Sequence, residues 1–140
     1  QRIEIETGEI AIAVCGAHMS GLALNHQLTA LGGRFLHACA TAPIYRLFAL
    51  PDGIRPGLVR SGNGEGGAIA VEVWALSEAA FGSFVGMIPG PLCIGTVTLE
   101  DGSAVKGFLC EEAGTADGDE ITALGGWRAH LDRRAVARTG

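Results

Sequence analysis

The sequence has few charged residues, few aromatic residues and no excess of basic ones. Charged residues make up 18% of its 140 residues, aromatic residues make up 6%, and the formal net charge is −5. Nucleic-acid binding needs clustered lysine and arginine that displace counterions from phosphates. The one basic cluster lies near the C-terminus, and we interpret it as the solvated end of a helix: Arg128, Arg133, Arg134 and Arg138. The composition therefore argues against a nucleic-acid partner.

Long hydrophobic runs are also missing. The longest apolar run extends from Ile10 to Cys15, whereas a helix that spans a bilayer needs about 20 apolar residues. The N-terminus has no charged segment followed by an apolar one, as a secretory signal would. We therefore expect no membrane partner and a cytoplasmic location.

Cysteines with short spacing are absent as well. None of the four cysteines lies in a CxxC pattern, and close ligand pairs are typical of structural zinc sites. Apolar or small residues flank each one, which favours free thiols in a reducing compartment: Cys15, Cys39, Cys93 and Cys110. We expect no metal and no cofactor.

The chain has the length of one ordinary domain, and we predict a single domain over residues 1–140. Apolar residues make up 48% of the sequence. This high apolar share, with the low charge, indicates that some apolar surface meets a partner, either a second copy in a homodimer or a neighbouring domain. The first residue is Gln1 rather than methionine, which we interpret as the start of a fragment from a longer enzyme.

Several segments have clear secondary-structure patterns. Ile10 to Cys15 is typical of a buried strand. The segments 93–99 and 104–110 flank Asp101-Gly102, which predicts a hairpin, and a further strand is expected over 68–76. Ser77 is a good N-cap for a helix that ends near Gly86.

Other segments are less regular. We expect strands over 34–40 and 41–50, a short helical stretch from Leu22 to Leu31, and a final helical segment capped by Asp119 and interrupted at Gly125-Gly126. About six strands and two or three helices, with strand pairs adjacent in sequence, predict an α+β fold. Its sheet should be antiparallel or mixed and curled into a barrel.

The glycine-rich loop from Gly16 to Gly21 follows the first strand. Backbone amides between a strand end and a helix start suit a carboxylate or another anion. The loop lacks the lysine of a P-loop and the spacing of a dinucleotide fingerprint, so a plain tight connection remains an alternative. His18 within it can transfer a proton near neutral pH, or it can be structural.

Five polar residues elsewhere can contribute to such a site. Asn25 can hydrogen-bond the loop or simply cap a helix. Tyr45 and Arg46 alternate along one strand, so only one of them can face a pocket. Glu72 and Lys106 lie in apolar strands, where a charge faces solvent or is buried with a partner.

The loop and the residues after it resemble a known signature. Gly16-Ala17-His18-Met19-Ser20-Gly21, followed by Asn25-His26-Gln27-Leu28, is similar to the YGTLxxG…NHxxL pattern of γ-glutamylcyclotransferase-like proteins. The closer resemblance is to the C-terminal domain of allophanate hydrolase and covers a core of about residues 10–131. It rests on ungapped blocks such as GAHMSGLALNHQL, TAPIYRLFAL, VEVWALSEAAFGSFV, DGSAVKGFLCE and ITALGGWRAHL.

The resemblance implies a γ-glutamylcyclotransferase-like barrel with a few flanking helices, and a role in urea degradation. In that enzyme an N-terminal amidase domain, absent here, performs the hydrolysis, and the C-terminal domain decarboxylates its small N-carboxylated product. His18 would then be catalytic, with Arg46 or Lys106 balancing charge. The candidate substrate-binding residues are Gly16, Ala17, Met19, Ser20, Gly21, Asn25, Tyr45, Arg46, Glu72 and Lys106.

Two alternatives remain. The domain can be a non-catalytic structural or oligomerisation module of the same enzyme. It can also be a free-standing relative of the cyclotransferases. Those enzymes use a glutamate as acid and base after the corresponding strand and helix, whereas this sequence has no acidic residue between Phe81 and Thr98. The resemblance therefore argues against cyclotransferase activity.

Overall fold

The structure is a computed structural model that describes residues 4–139. Eight strands form two sheets, one of five strands in the order β2-β5-β1-β7-β6 and one of three in the order β4-β3-β8. The strands are β1 Glu9–Val14, β2 Arg34–Ala40, β3 Tyr45–Ala49, β4 Pro56–Arg60, β5 Ala70–Ser77, β6 Leu92–Thr98, β7 Ala104–Cys110 and β8 Asp119–Glu120. The α-helices are α1 His26–Thr29, α2 Glu78–Gly86 and α3 Trp127–Thr139.

Strand β1 lies at the centre of the larger sheet. It pairs antiparallel with β5, where Ile12 lies opposite Trp74, and parallel with β7, where Ile12 lies opposite Lys106. Its residues from Ala11 to Val14 are all buried, as expected for a continuous apolar run covered on both faces. The predicted α+β class with a mixed sheet is confirmed.

The larger sheet curls without closing into a barrel. Its edge strands β2 and β6 meet just beyond their ends, at an isolated bridge between Thr41 and Leu99. The hydroxyl oxygen of Tyr45 accepts a hydrogen bond from the amide of Thr98 at 2.9 Å, which ties β3 to the same end. The predicted curl is therefore present, and the sheet stays open between β2 and β6.

The best-marked sequence signals gave the expected elements. Strands β6 and β7 form the predicted hairpin, and Gly102 in its turn has φ +88°. The hydroxyl of Ser77 accepts a hydrogen bond from the amide of Ala80 at 3.1 Å and caps α2, which ends at Gly86 as predicted. No helix within residues 4–139 is both long and apolar enough to cross a bilayer.

Three segments differ from the prediction. Asp119 does not cap a helix, because it pairs with Ala49 in β8. The helix expected from Leu22 to Leu31 is reduced to the single turn of α1, since the chain before it forms tight turns such as Leu22 N–H to the Met19 carbonyl at 3.0 Å. Strand β4 was not predicted and pairs with β3 along its whole length.

Candidate functional site

The loop from Gly16 to Gly21 has a shape that depends on its two glycines. A Cβ atom on Gly16 would lie 2.5 Å from Cδ of Pro56, and Gly21 has φ +77°. At Gly16 the close approach of Pro56 leaves no room for a side chain, and at Gly21 the left-handed backbone favours glycine. Within residues 4–139, the amides of Gly16, Ala17 and His18 have no acceptor. They remain free to bind an anion.

Glu72 on β5 holds the far end of this loop. Its Oε1 accepts hydrogen bonds from the Ser20 amide at 2.8 Å, the Ser20 hydroxyl at 3.0 Å and Trp74 Nε1 at 3.1 Å. Its Oε2 accepts one from Arg128 Nη2 at 3.0 Å, and the same Nη2 donates to the Ser20 carbonyl at 2.7 Å. Glu72 therefore ties the loop to β5 and to α3.

The ionisation of Glu72 follows from these contacts. Burial of this side chain, which is only 7% exposed, raises the pKa of its carboxyl group. The hydrogen bonds from Ser20, Trp74 and Arg128 lower that pKa, and together they outweigh burial, so the net pKa is below the ordinary value. Glu72 is a carboxylate committed to four donors and acts as an anchor of the loop.

Asn25 supports the loop from its other side. Its Nδ2 donates to the carbonyl of His18 at 2.8 Å, and its side chain makes no capping bond to α1. The predicted hydrogen bond between Asn25 and the loop is confirmed, and the alternative of a side-chain helix cap is not what the structure contains. Asn25 thereby fixes the backbone of His18.

The side chain of His18 is packed among apolar residues, and His18 is only 7% exposed. Its ring stacks on Phe108 with centroids 5.0 Å apart and meets the edge of Phe84 at 5.2 Å. Its Nε2 lies 2.8 Å from Oε1 of Gln27. Because an amide oxygen can only accept, Nε2 carries the proton in the neutral ring. Nδ1 is then the basic nitrogen, and no hydrogen-bond partner for it lies within residues 4–139.

The environment of His18 disfavours its charged form. Burial is the main cause of a lowered pKa for this imidazole. The hydrogen bond to Gln27 raises the pKa, while the charge of Arg55 and the proximity of His26 lower it further. The ring is therefore neutral in the unliganded domain at neutral pH, ready to take up a proton if an anion enters.

Two neighbouring cavities lie on this side of the loop, and His18 lines the inner one. The inner one, lined by His18 and the loop residues Gly16 and Ala17, has a volume of about 20 Å³. The outer one, between the segments near Pro51, Pro91 and Gly114, has a volume of about 470 Å³. Arg55 and Leu92 line both cavities, so they form the boundary between them.

Only Gly16 and Ala17 of the ten predicted substrate-binding residues line either cavity; Asn25 and Glu72 hold the loop, and three others lie elsewhere. Tyr45 is fully buried, with its hydroxyl oxygen bonded to the Thr98 amide. Arg46 makes a two-point ion pair with Glu120 at 2.7 and 3.1 Å on the surface. Lys106 donates to Thr96 Oγ1 at 3.3 Å on an exposed strand face. Met19, Ser20 and Gly21 belong to the loop but do not line the inner cavity.

Sequence reasoning missed the residues that surround the histidine. No role was predicted for Gln27 in the NHQL block. Its position soon after the loop was the signal that could have suggested a contact with His18. Arg55 follows a PDG turn and precedes a strand that was not predicted. Phe84 and Phe108 lie within the predicted helix and the predicted hairpin, and no local pattern marks their contact with His18.

The described residues hold no evident metal site. Within residues 4–139, no group of three or more histidine, cysteine, aspartate or glutamate side chains is arranged to hold a metal ion. The four cysteines are free thiols, and burial raises the pKa of Cys15 to about 12. A thiol with that pKa is protonated near neutral pH and is not a nucleophile.

A family comparison assigns this loop and the elements around it to a known domain. The model of the allophanate hydrolase C-terminal domain matches residues 10–132. The chain belongs to the allophanate hydrolase C-terminal domain family. The matched range includes the loop, His18, Glu72 and both cavities, so the site lies wholly within the family's domain.

Relatives of this domain occur in large enzymes and as separate chains. The urea amidolyase of Saccharomyces cerevisiae is 42% identical over 128 residues, which are 88% of this chain and 7% of that protein. The crystal structure of the Kluyveromyces lactis urea amidolyase matches 89% of this chain and 8% of its own, with TM-score 0.85 and 39% identity. A uropathogenic Escherichia coli protein matches 89% of this chain and 96% of its own, with TM-score 0.84 and 38% identity.

More distant structures share the fold alone. An aig2-like protein from Mus musculus has a TM-score of 0.61 at 16% identity, with 78% of this chain and 80% of that chain covered. The allophanate hydrolase C-terminal domain here spans less than a tenth of the length of the curated urea amidolyase it matches. The activities of the whole enzyme are therefore matters for proposal.

Proposed function

We propose that this domain decarboxylates an N-carboxylated product supplied by an amidase, a small carboxylate from the breakdown of urea through allophanate. The observation that carries the proposal is the position of His18. It lies between two aromatic rings, with a basic nitrogen that has no hydrogen-bond partner within residues 4–139, beside three loop amides that lack acceptors there. This arrangement offers an anion-binding surface and a proton-transfer group in one place.

The reaction breaks the bond between the substrate nitrogen and one carboxylate carbon. The electron pair of that bond stays on nitrogen, the carbon leaves as CO2, and the nitrogen takes a proton. The loop amides hold the substrate anion, and His18 in its imidazolium form supplies the proton. No external oxidant or reductant is needed, and no step requires a metal or an organic cofactor.

The lowered pKa of His18 fits this role through the charge of the substrate. An anion beside a buried imidazole favours the charged ring and raises its pKa. Proton uptake is thereby coupled to substrate binding, and the proton is then delivered to nitrogen as CO2 departs. Phe84 and Phe108 exclude bulk water from the ring, which strengthens the attraction between imidazolium and anion.

The proposal also includes a partner domain and a cellular location. The names of its relatives, urea amidolyase and allophanate hydrolase, support an amidase domain as the partner that supplies the substrate. The free cysteines support a reducing, cytoplasmic location. The cyclotransferase alternative has less support, because Phe84 rather than an acidic side chain of α2 contacts His18.

The test is CO2 release in the presence of this chain. An allophanate amidase generates the ¹³C-labelled N-carboxylated product, and NMR follows its decay to CO2 and bicarbonate with and without the domain. We expect the domain to accelerate the decay well above the spontaneous rate. A decay rate that is independent of the domain's concentration would contradict the proposal and favour the structural module.

A further inference from the structure

The volumes of the two cavities constrain how a substrate lies. The inner cavity of about 20 Å³ has room for about one water molecule. Hydrolysis of the terminal amide of allophanate leaves a nitrogen that carries two carboxylates, and a molecule of that size does not fit the inner cavity. The outer cavity of about 470 Å³ is large enough, so one end of the substrate reaches toward His18 while the rest lies in the outer cavity.

Arg55 is placed to meet that substrate at the boundary. It lines both cavities, and at the inner one it shares the lining with His18. Among the described residues, no other lysine or arginine lines either cavity. A carboxylate that spans the boundary therefore has one guanidinium within reach.

The orientation of Arg55 is fixed by Asp52. Oδ2 of Asp52 accepts a hydrogen bond from Arg55 Nε at 3.2 Å, and Oδ1 accepts from the amides of Ile54 and Arg55 at 2.8 and 3.1 Å. Of these contacts, only the one at Nε involves the guanidinium. Its two terminal nitrogens have no acceptor within residues 4–139, and paired N–H groups of this kind bind a carboxylate at two points.

We propose that Arg55 binds the carboxylate that stays on the substrate and thereby selects dicarboxylates. The inference rests on the proposed function. The departing carboxylate becomes neutral CO2, so a full positive charge bound to it would oppose the reaction. The retained carboxylate keeps its charge throughout, and a guanidinium there holds the nitrogen in place next to His18 without that cost.

Two acidic residues at the outer cavity provide a control for Arg55, because their charge is opposite to that of its guanidinium. Glu111 and Asp117 line it and are at least partly exposed. Their charges repel an incoming dianion, in contrast to Arg55. Neutralising Glu111 should therefore strengthen dianion binding, whereas neutralising Arg55 should weaken it.

Malonate is the probe, because it carries two carboxylates on a methylene where the substrate has nitrogen. Calorimetry on the intact chain should show that malonate binds more tightly than acetate. We expect Arg55→Gln to weaken malonate binding about ten- to a hundred-fold and Arg55→Lys to weaken it less. Glu111→Gln should bind malonate more tightly, and Arg60→Gln, at the other end of β4, should bind it as the wild type does.

The outcomes separate this inference from the proposed function. Equal malonate affinity of the wild type and Arg55→Gln, both with native thermal unfolding, would overturn the role of Arg55, as would wild-type binding no tighter than that of acetate. If Arg55 is needed for malonate but the domain does not accelerate CO2 release, only the proposed function fails. If CO2 release is accelerated and Arg55→Gln keeps the wild-type KM, only the role of Arg55 fails.

Discussion

Replacement of His18 by asparagine is expected to lower kcat for CO2 release by about 10² to 10⁴, the usual contribution of a positioned acid or base. Asparagine keeps a polar side chain between Phe84 and Phe108 but has no nitrogen that changes protonation near neutral pH. The loop amides and Arg55 are unchanged, so KM should change much less than kcat. Stopped-flow detection of CO2 gives both constants.

The control for His18 is His37→Asn on β2, a histidine that lines neither of the two cavities at the site. It should keep wild-type turnover. Thermal unfolding of both variants shows whether the fold is intact. A His18→Asn protein that unfolds like the wild type and also turns over like it would remove the histidine from the mechanism.

Replacement of Glu72 by leucine is expected to cost about 3 kcal/mol in the free energy of unfolding. Trp74 is buried, and its Nε1 left without an acceptor costs about 1–3 kcal/mol, whereas Ser20 is exposed and its two lost hydrogen bonds cost about 0.5–1.5 kcal/mol each. Because Arg128 is half exposed, its loss of the ion pair adds little. For a chain of this size, that cost corresponds to a fall in Tm of about 10 °C.

Two companion variants identify the cause of that instability. Glu72→Gln keeps an acceptor oxygen for the loop and should lose less than half as much. Glu65→Gln, at an exposed position, should unfold like the wild type in a calorimetric or circular dichroism melt. If Glu72→Leu is as stable as Glu65→Gln, the loop does not depend on this anchor.

The secondary-structure elements that could be predicted best from the sequence are those determined by residues close together in the chain. The turn at Gly102, the cap at Ser77 and the apolar run of β1 each depend on residues that are neighbours in the chain. Strands β4 and β8 depend instead on pairing with β3. Asp119 shows the difference, because a residue that favours helix caps lies in a strand when a partner edge is present.

The same distinction applies to the site. The glycine spacing and His18 marked the loop, and Asn25 contacts it as expected. The charges could not be placed from the sequence, because Arg46, Arg55 and Lys106 all lie near or in strands and only the three-dimensional fold brings Arg55 to the cavities. Glu72 likewise could not be assigned, since its partners Ser20 and Arg128 are distant in the chain by 52 and 56 residues.

The pH dependence of turnover tests most directly whether protonated His18 delivers the proton. In the free domain, burial of the ring, with Arg55 and His26 nearby, holds the pKa of His18 below its ordinary 6.5, against the opposing effect of Gln27. Because the acid form is required, kcat/KM should fall as pH rises, with a midpoint below 6.5. Bound anion raises that pKa, so the fall in kcat should occur at a higher pH than the fall in kcat/KM. A kcat that does not change with pH, or one that rises as His18 loses its proton, would contradict the account.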